Sequence, residues 1–115
     1  MILGICGGRD YQLTDDDFLW LDKICKEWGV DEIVHGGATG ADACAAAFAM
    51  TREIEETVFE ADWDMYGRAA GPKRNEEIAK YLEVCGELVA FPGGRGTQDM
   101  IRRASDHGIP VHRRR

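Results

Sequence analysis

Five short strand-like segments alternate along this chain with amphipathic or alanine-rich stretches, and three of them are followed by a glycine pair. These two observations predict an α/β domain in which strands are joined by helical crossovers. Because such crossovers are right-handed, the strands should lie parallel, with helices on both faces of the sheet. The expected architecture is a Rossmann-like, three-layer α/β/α fold with a mostly parallel sheet of about five strands, formed by residues 1–115 as a single domain. With 44% apolar residues in 115, the chain is large enough to bury a core of its own.

Taken in order, "ILGIC" reads as the first strand and "GGRDYQL" as the loop after it. Thr14 with Asp17 three residues on marks a capped helix start, and "DDDFLWLDKICKEW" places Phe18, Leu21, Ile24, Cys25 and Trp28 on one face. Gly29 stands where a helix C-cap belongs. "DEIVHG" is the second strand and runs into "GGATGAD"; "ADACAAAFAMTR" is a small-residue helix suited to close packing on a sheet. "EETVFEA" is the third strand and "DWDMYGRAAGP" a long loop. Pro72 opens the helix "PKRNEEIAKYLEVC", where its missing N–H costs nothing. "ELVAF" is the fourth strand, "PGGRG" a turn and "TQDMIRRASDH" the last helix. Gly108 caps that helix and "IPVHR" closes the sheet.

Several function classes are disfavoured. No apolar run approaches the length of a membrane span, and "MILGICGGRD" lacks the basic start of a secretory signal, so a cytoplasmic protein with no membrane partner is expected. Cys6, Cys25, Cys44 and Cys85 are too scattered for a metal cluster or disulfide framework and read as reduced core residues; His35, His107 and His112 form no motif, and no metal site is predicted. A net charge of −7 argues against nucleic acid as a partner. Arg9, Arg68, Arg74 and Arg95 nevertheless sit within or beside glycine segments, which suits a small anion. The closing "HRRR" reads as a solvated basic end.

"CGGRD", "HGGATGAD" and "FPGGRGT" follow strands one, two and four, so all three lie on one rim of the sheet. Glycine lets a ligand approach the backbone, and a helix N-terminus behind it offers unpaired N–H groups and a positive dipole. The predicted phosphate grip is Gly7, Gly8, Gly36, Gly37, Gly40, Gly93, Gly94, Gly96 and Thr97. Arg9, Arg68, Arg74 and Arg95 would neutralise charge, and Thr39, Asp42 and Asn75 are further binding candidates. Asp42 reads equally well as a helix cap. Trp63 and Tyr66 are available to stack on a base or to pack their loop. None of the turns is a P-loop or a Gly-x-Gly-x-x-Gly fingerprint, which disfavours ATPases and ordinary dehydrogenases.

"GGRDY", "VHGGATGADACAAAFA", "ADWDMYGRAAGPKRN" and "AFPGGRGTQDM" together resemble the YspA-type, YpsA-related family of the SLOG superfamily, over nearly the whole chain. That superfamily also holds DprA/Smf proteins, LOG phosphoribohydrolases and molybdenum-cofactor carriers. The resemblance implies a SLOG-like domain that binds nucleotides or nucleotide-derived ligands at the glycine rim, with no further cofactor required. LOG enzymes carry Pro-Gly-Gly-x-Gly-Thr-x-x-Glu and Arg-Lys-x-x-Met. Here Pro92, Gly93, Gly94, Gly96, Thr97 and Arg74 match, while Met100 replaces the glutamate that cleavage needs, and Asn75 and Ile78 replace the other two. The leading expectation is therefore a nucleotide-binding module. The alternative is an N-glycosidic-bond hydrolase acting on a nucleoside monophosphate or ADP-ribose-like substrate, with Asp10, Asp99 and Arg74 as candidate catalytic residues. The short sheet and alanine-rich helix, helped by LOG relatives being dimers, point to a homo-dimer or higher oligomer.

Overall fold

In a computed structural model that describes residues 1–114, the elements run β1 (Ile2–Cys6), α1 (Asp15–Trp28), β2 (Glu32–His35), α2 (Ala41–Thr51) and β3 (Glu55–Val58). They continue with α3 (Trp63–Tyr66), a 3₁₀ turn at Gly67–Ala69, α4 (Ala70–Leu82), β4 (Gly86–Ala90), α5 (Arg95–Asp106) and β5 (Val111–Arg113). The strands of the described residues form one sheet in the order β3-β2-β1-β4-β5, with every neighbouring pair parallel. This is the predicted Rossmann-like α/β fold.

Side chains leave the strands with a period of two and divide the core into two layers. Leu3, Ile5, Ile33, Val89 and Phe91 pack with Leu21, Ile24 and Phe48 of α1 and α2. Val34, Leu88 and Ala90 point the other way, toward Ile78, Leu82, Met100 and Ile101 of α4 and α5. Both sides of these strands are buried, as a doubly covered parallel sheet requires.

Local signals set the ends of α1 as the sequence predicts. Thr14 Oγ1 accepts from the Asp17 N–H at 3.1 Å while Asp17 Oδ2 accepts from the Thr14 N–H at 3.0 Å, which is a reciprocal capping box. Gly29 then takes the left-handed conformation, φ 64°.

β3 and α4 each end three residues earlier than the sequence reading and β5 starts two later, and three further differences border the glycine rim. Residues 62–72, expected as a loop, contain α3, the 3₁₀ turn and the start of α4. Pro72 is the third residue of α4 rather than its first, because the whole first turn of a helix needs no N–H partner. Likewise α5 begins at Arg95, so Arg95 and Gly96 belong to a helix and not to a turn. Of the four cysteines only Cys25 is buried, and Cys85 is exposed. The basic end is not free in solvent: Arg114 Nε donates to Asp17 Oδ1 at 2.9 Å, and its guanidinium lies 4.9 Å from the Trp20 ring centroid. Arg115, the last residue of that tail, lies outside the described residues.

Candidate functional site

β2 and β4 flank β1 on opposite sides, so the chain changes direction across the sheet at β1. Parallel sheets open a crevice at such a switch point, beyond the carboxyl ends of the strands. A cavity of about 610 Å³ occurs there, within the size range of small-molecule sites. It gathers Gly7, Gly8 and Arg9 from the first turn, and Gly36 and Asp42 around the second. Arg74 and Asn75 come from α4, and Gly94, Arg95, Gly96, Thr97 and Asp99 from the third turn and α5. A smaller cavity of about 340 Å³ extends over the second turn to Gly37, Thr39 and Glu60, and shares Arg9, Trp63 and Arg74 with the first. Asp10, Gly40, Arg68 and Gly93, expected at the site, line neither cavity. Asp10 and Arg68 are exposed beside it.

Gly40 and Gly93 each stand where two loops approach closely. Gly40, at φ 71° and ψ −124°, precedes α2, and a Cβ there would overlap the carbonyl oxygens of Gly8 and Arg9. A Cβ on Gly93 would overlap Thr97 Oγ1 and stand 2.6 Å from the Gly8 nitrogen. The contacts these absences permit are hydrogen bonds: the Gly8 N–H donates to Pro92 O at 2.8 Å, and the Ala41 N–H donates to Gly8 O at 3.2 Å. The first turn is thereby clasped between the second and the third.

Asp42 and Arg74 brace the second turn from below. Asp42 Oδ2 accepts the N–H groups of Gly36 and Ala38, each at 3.2 Å. It anchors the loop, and Gly40, the N-cap of α2, leaves that helix with no side-chain cap. Burial raises the Asp42 carboxyl above its ordinary value, against the pull of the Ala38 N–H, His35, Arg74 and the Gly36 N–H. Arg74 donates from Nη1 to Gly36 O at 2.7 Å and from Nε to Asn75 Oδ1 at 3.0 Å. A side chain on Gly36 would overlap that guanidinium. Burial lowers the Arg74 value, with Arg9 adding to the effect and Asp42 opposing it. Two of the arginine's five N–H donors are thus engaged by the protein, and the bond to Gly36 makes it a strut between α4 and the second turn.

His35 belongs to the same brace, and nothing in the sequence singled it out. It is 3% exposed; its Nδ1 accepts from the Gly37 N–H at 3.0 Å, and its Nε2 meets Glu56 Oε2 at 2.5 Å. Accepting at Nδ1 leaves the proton on Nε2, facing the carboxylate. A lone histidine after a strand carries no spacing that would reveal its partner on β3.

The start of α5 is built differently. Gly94 is its N-cap and supplies no side-chain cap. Gly94 and Gly96 are exposed, and a Cβ on either would meet no atom within 4 Å. First-turn N–H groups lack intrahelical partners, and Gly94, Arg95, Gly96 and Thr97 all line the cavity. Behind them, Asp99 Oδ2 accepts from Asn75 Nδ2 at 3.0 Å and Arg103 Nε at 2.9 Å, while Oδ1 accepts from Arg102 Nη2 at 2.8 Å. Although its partial burial works the other way, these donors hold the Asp99 carboxyl below its ordinary range. Arg103 continues to Glu76 at 3.2 Å, and Glu76 to His107 Nε2 at 2.7 Å. Asp99 is thus a carboxylate that ties α5 to α4 and already accepts three hydrogen bonds. Met100, at the glutamate position of the LOG pattern, is 1% exposed and borders the same cavity as a hydrophobic wall.

Among the described residues, no group of three or more His, Cys, Asp or Glu is placed to hold a metal ion. Among the same residues, no helix is long and apolar enough to cross a membrane.

Two comparisons set the chain beside known proteins. The chain is 41% identical over 87 residues to the Gene 61 protein of Mycobacterium phage D29, an alignment covering 69% of this chain and 67% of that protein. The family model for YAcAr, the YspA, cpYpsA-related SLOG family, matches residues 1–66, a span that holds the first two glycine turns and ends before the third. The chain belongs to the YspA, cpYpsA-related SLOG family.

Proposed function

We propose that this domain binds a small nucleotide-type ligand whose phosphate sits at the N-terminus of α5. The observation that carries this reading is the uncapped helix start at Gly94–Thr97, open at both glycines and forming one wall of the 610 Å³ cavity. Helix N-termini of this kind combine free N–H groups with a positive dipole. Arg9 and Arg95, both exposed at the rim, add positive charge, and Arg74 keeps the second turn in place around the ligand. Family membership supports a nucleotide-related role.

Binding is favoured over hydrolysis by the state of the carboxylates. Asp99 already accepts three hydrogen bonds and stays ionised, Asp10 lines neither cavity, and Met100 offers no proton-transfer group. None of the three is set up as a general acid or base.

A thermal-shift series with AMP, ADP-ribose, NAD and cyclic nucleotides tests the proposal, with each ligand recovered by chromatography after overnight incubation. Ligand at about 100 times its Kd adds about 2.7 kcal/mol of stability. A raised Tm with intact ligand is expected. Released base would convert the reading to a hydrolase, and an unmoved Tm with every nucleotide would remove it.

A further inference from the structure

The half-exposed indole of Trp63 is not needed by the phosphate grip, yet it is held in place. Trp63 is 48% exposed although tryptophan is on average a well-buried residue. It opens α3, whose N-cap Asp62 accepts the Met65 N–H at 3.1 Å. Its six-membered ring abuts Gly71 of α4, where an added Cβ would come within 3.3 Å of the indole. The ring also borders both cavities. Arg9 lies over it with its guanidinium carbon 5.4 Å from the ring centroid. That guanidinium makes no hydrogen bond or ion pair with other described residues, so the stacking contact is its one attachment. At an exposed position such a contact is weak and readily exchanged. Tyr66, the other exposed aromatic of α3, is partnered by Lys73 and lines neither cavity.

We propose that Trp63 is the aromatic platform of this site, on which the planar heterocycle of the ligand stacks in the place where Arg9 lies. This rests on the phosphate reading above and adds the part of the ligand that the phosphate grip cannot sense. A π-face recognises any base, because stacking tolerates base identity. The site therefore selects a nucleotide over a bare sugar phosphate while discriminating little between purine and pyrimidine.

Titration of the full chain with AMP, UMP and ribose 5-phosphate tests this. Both nucleotides should bind about ten-fold or more tightly than ribose 5-phosphate, the range that base–aromatic stacking supplies. Trp63→Ala should erase that preference and Trp63→Phe should retain most of it. AMP should quench tryptophan emission in the wild-type chain but not in Trp63→Phe, which keeps Trp20 and Trp28. Nucleotides binding no tighter than ribose 5-phosphate would overturn the platform and leave the phosphate site standing, as would a preference that survives in Trp63→Ala. Failure of ribose 5-phosphate and both nucleotides alike would overturn both.

Discussion

Gly36, Gly40 and Gly93 occupy points where another part of this chain already fills the space a side chain would need. Gly94 and Gly96, a few residues further on, border open space. The seam among the three turns is held by backbone hydrogen bonds and close approach, with Asp42, His35 and Arg74 bracing it from below. The start of α5 is held from behind, by the charged series Asp99, Arg103, Glu76 and His107 that ties it to α4. Identical residues thus serve opposite ends: at the seam glycine admits protein, and at the helix start it leaves room for something else. The backbone contacts of the seam carry no net charge, whereas the series behind α5 is built of charged groups that salt screens and pH titrates.

The largest expected effect breaks the seam. Gly40→Ala forces a Cβ onto two backbone carbonyls at a positive φ, and should cost about 3 kcal/mol or more. Denaturant unfolding would register it as a lowered midpoint; a change under 1 kcal/mol would mean that the clasp is slack. Next comes Arg74→Ala, which removes a charged donor from Gly36 O and leaves Asp42 without its nearby cation. A loss of about 2 kcal/mol is expected by the same measurement, with Arg74→Lys recovering part of it. If Arg74→Ala kept full stability but lost nucleotide binding, the arginine would be a ligand contact and not a strut.

Gly96→Ala inverts the pattern. Inside the first turn of α5, alanine should raise stability by about 0.5 kcal/mol while shrinking or abolishing the Tm shift produced by AMP. A variant that is both stabilised and fully able to bind would remove the helix start from the site. The smallest effect sharpens the contrast in support. Glu83 and Glu76 raise the His107 value above its ordinary 6.5. A value raised by folding means that protonated His107 favours the folded state. Its contribution is complete below pH 6.5 and disappears as pH climbs through the raised folded value. Stability measured across that window should fall in the wild-type chain and fall less in His107→Gln.

The alternation of strands and helices was legible because β1 and β4 are largely apolar runs followed by glycine turns, and α1 carries both its capping box and its terminal glycine. α3 escaped notice since four residues show no periodicity, and Pro72 misled by two positions because every place in a first turn tolerates proline. The rim was legible as a set of glycines but not as two kinds. What an added Cβ would strike at Gly93 depends on Gly8, which lies far away in sequence and touches it only after β1 and β4 pair. The same holds for His35 and Glu56, which meet because β2 and β3 are neighbours. Asp42 was read as cap or contact, and its carboxylate instead reaches back to the turn before its own helix.

The central position of β1 also sets an order of assembly. Its partners on the two sides are β2, close in sequence, and β4, which joins Ile2 to Gly86. Long loops of this kind close late, since chain entropy is lost before the pairing rewards it. The crevice at the switch point exists only once that late pairing is made, so no partly folded chain carrying β1–β3 alone has a place for the ligand. Any molecule that docks there acts on the finished fold only, and spans the turns on both sides of β1 whose separation would split the sheet.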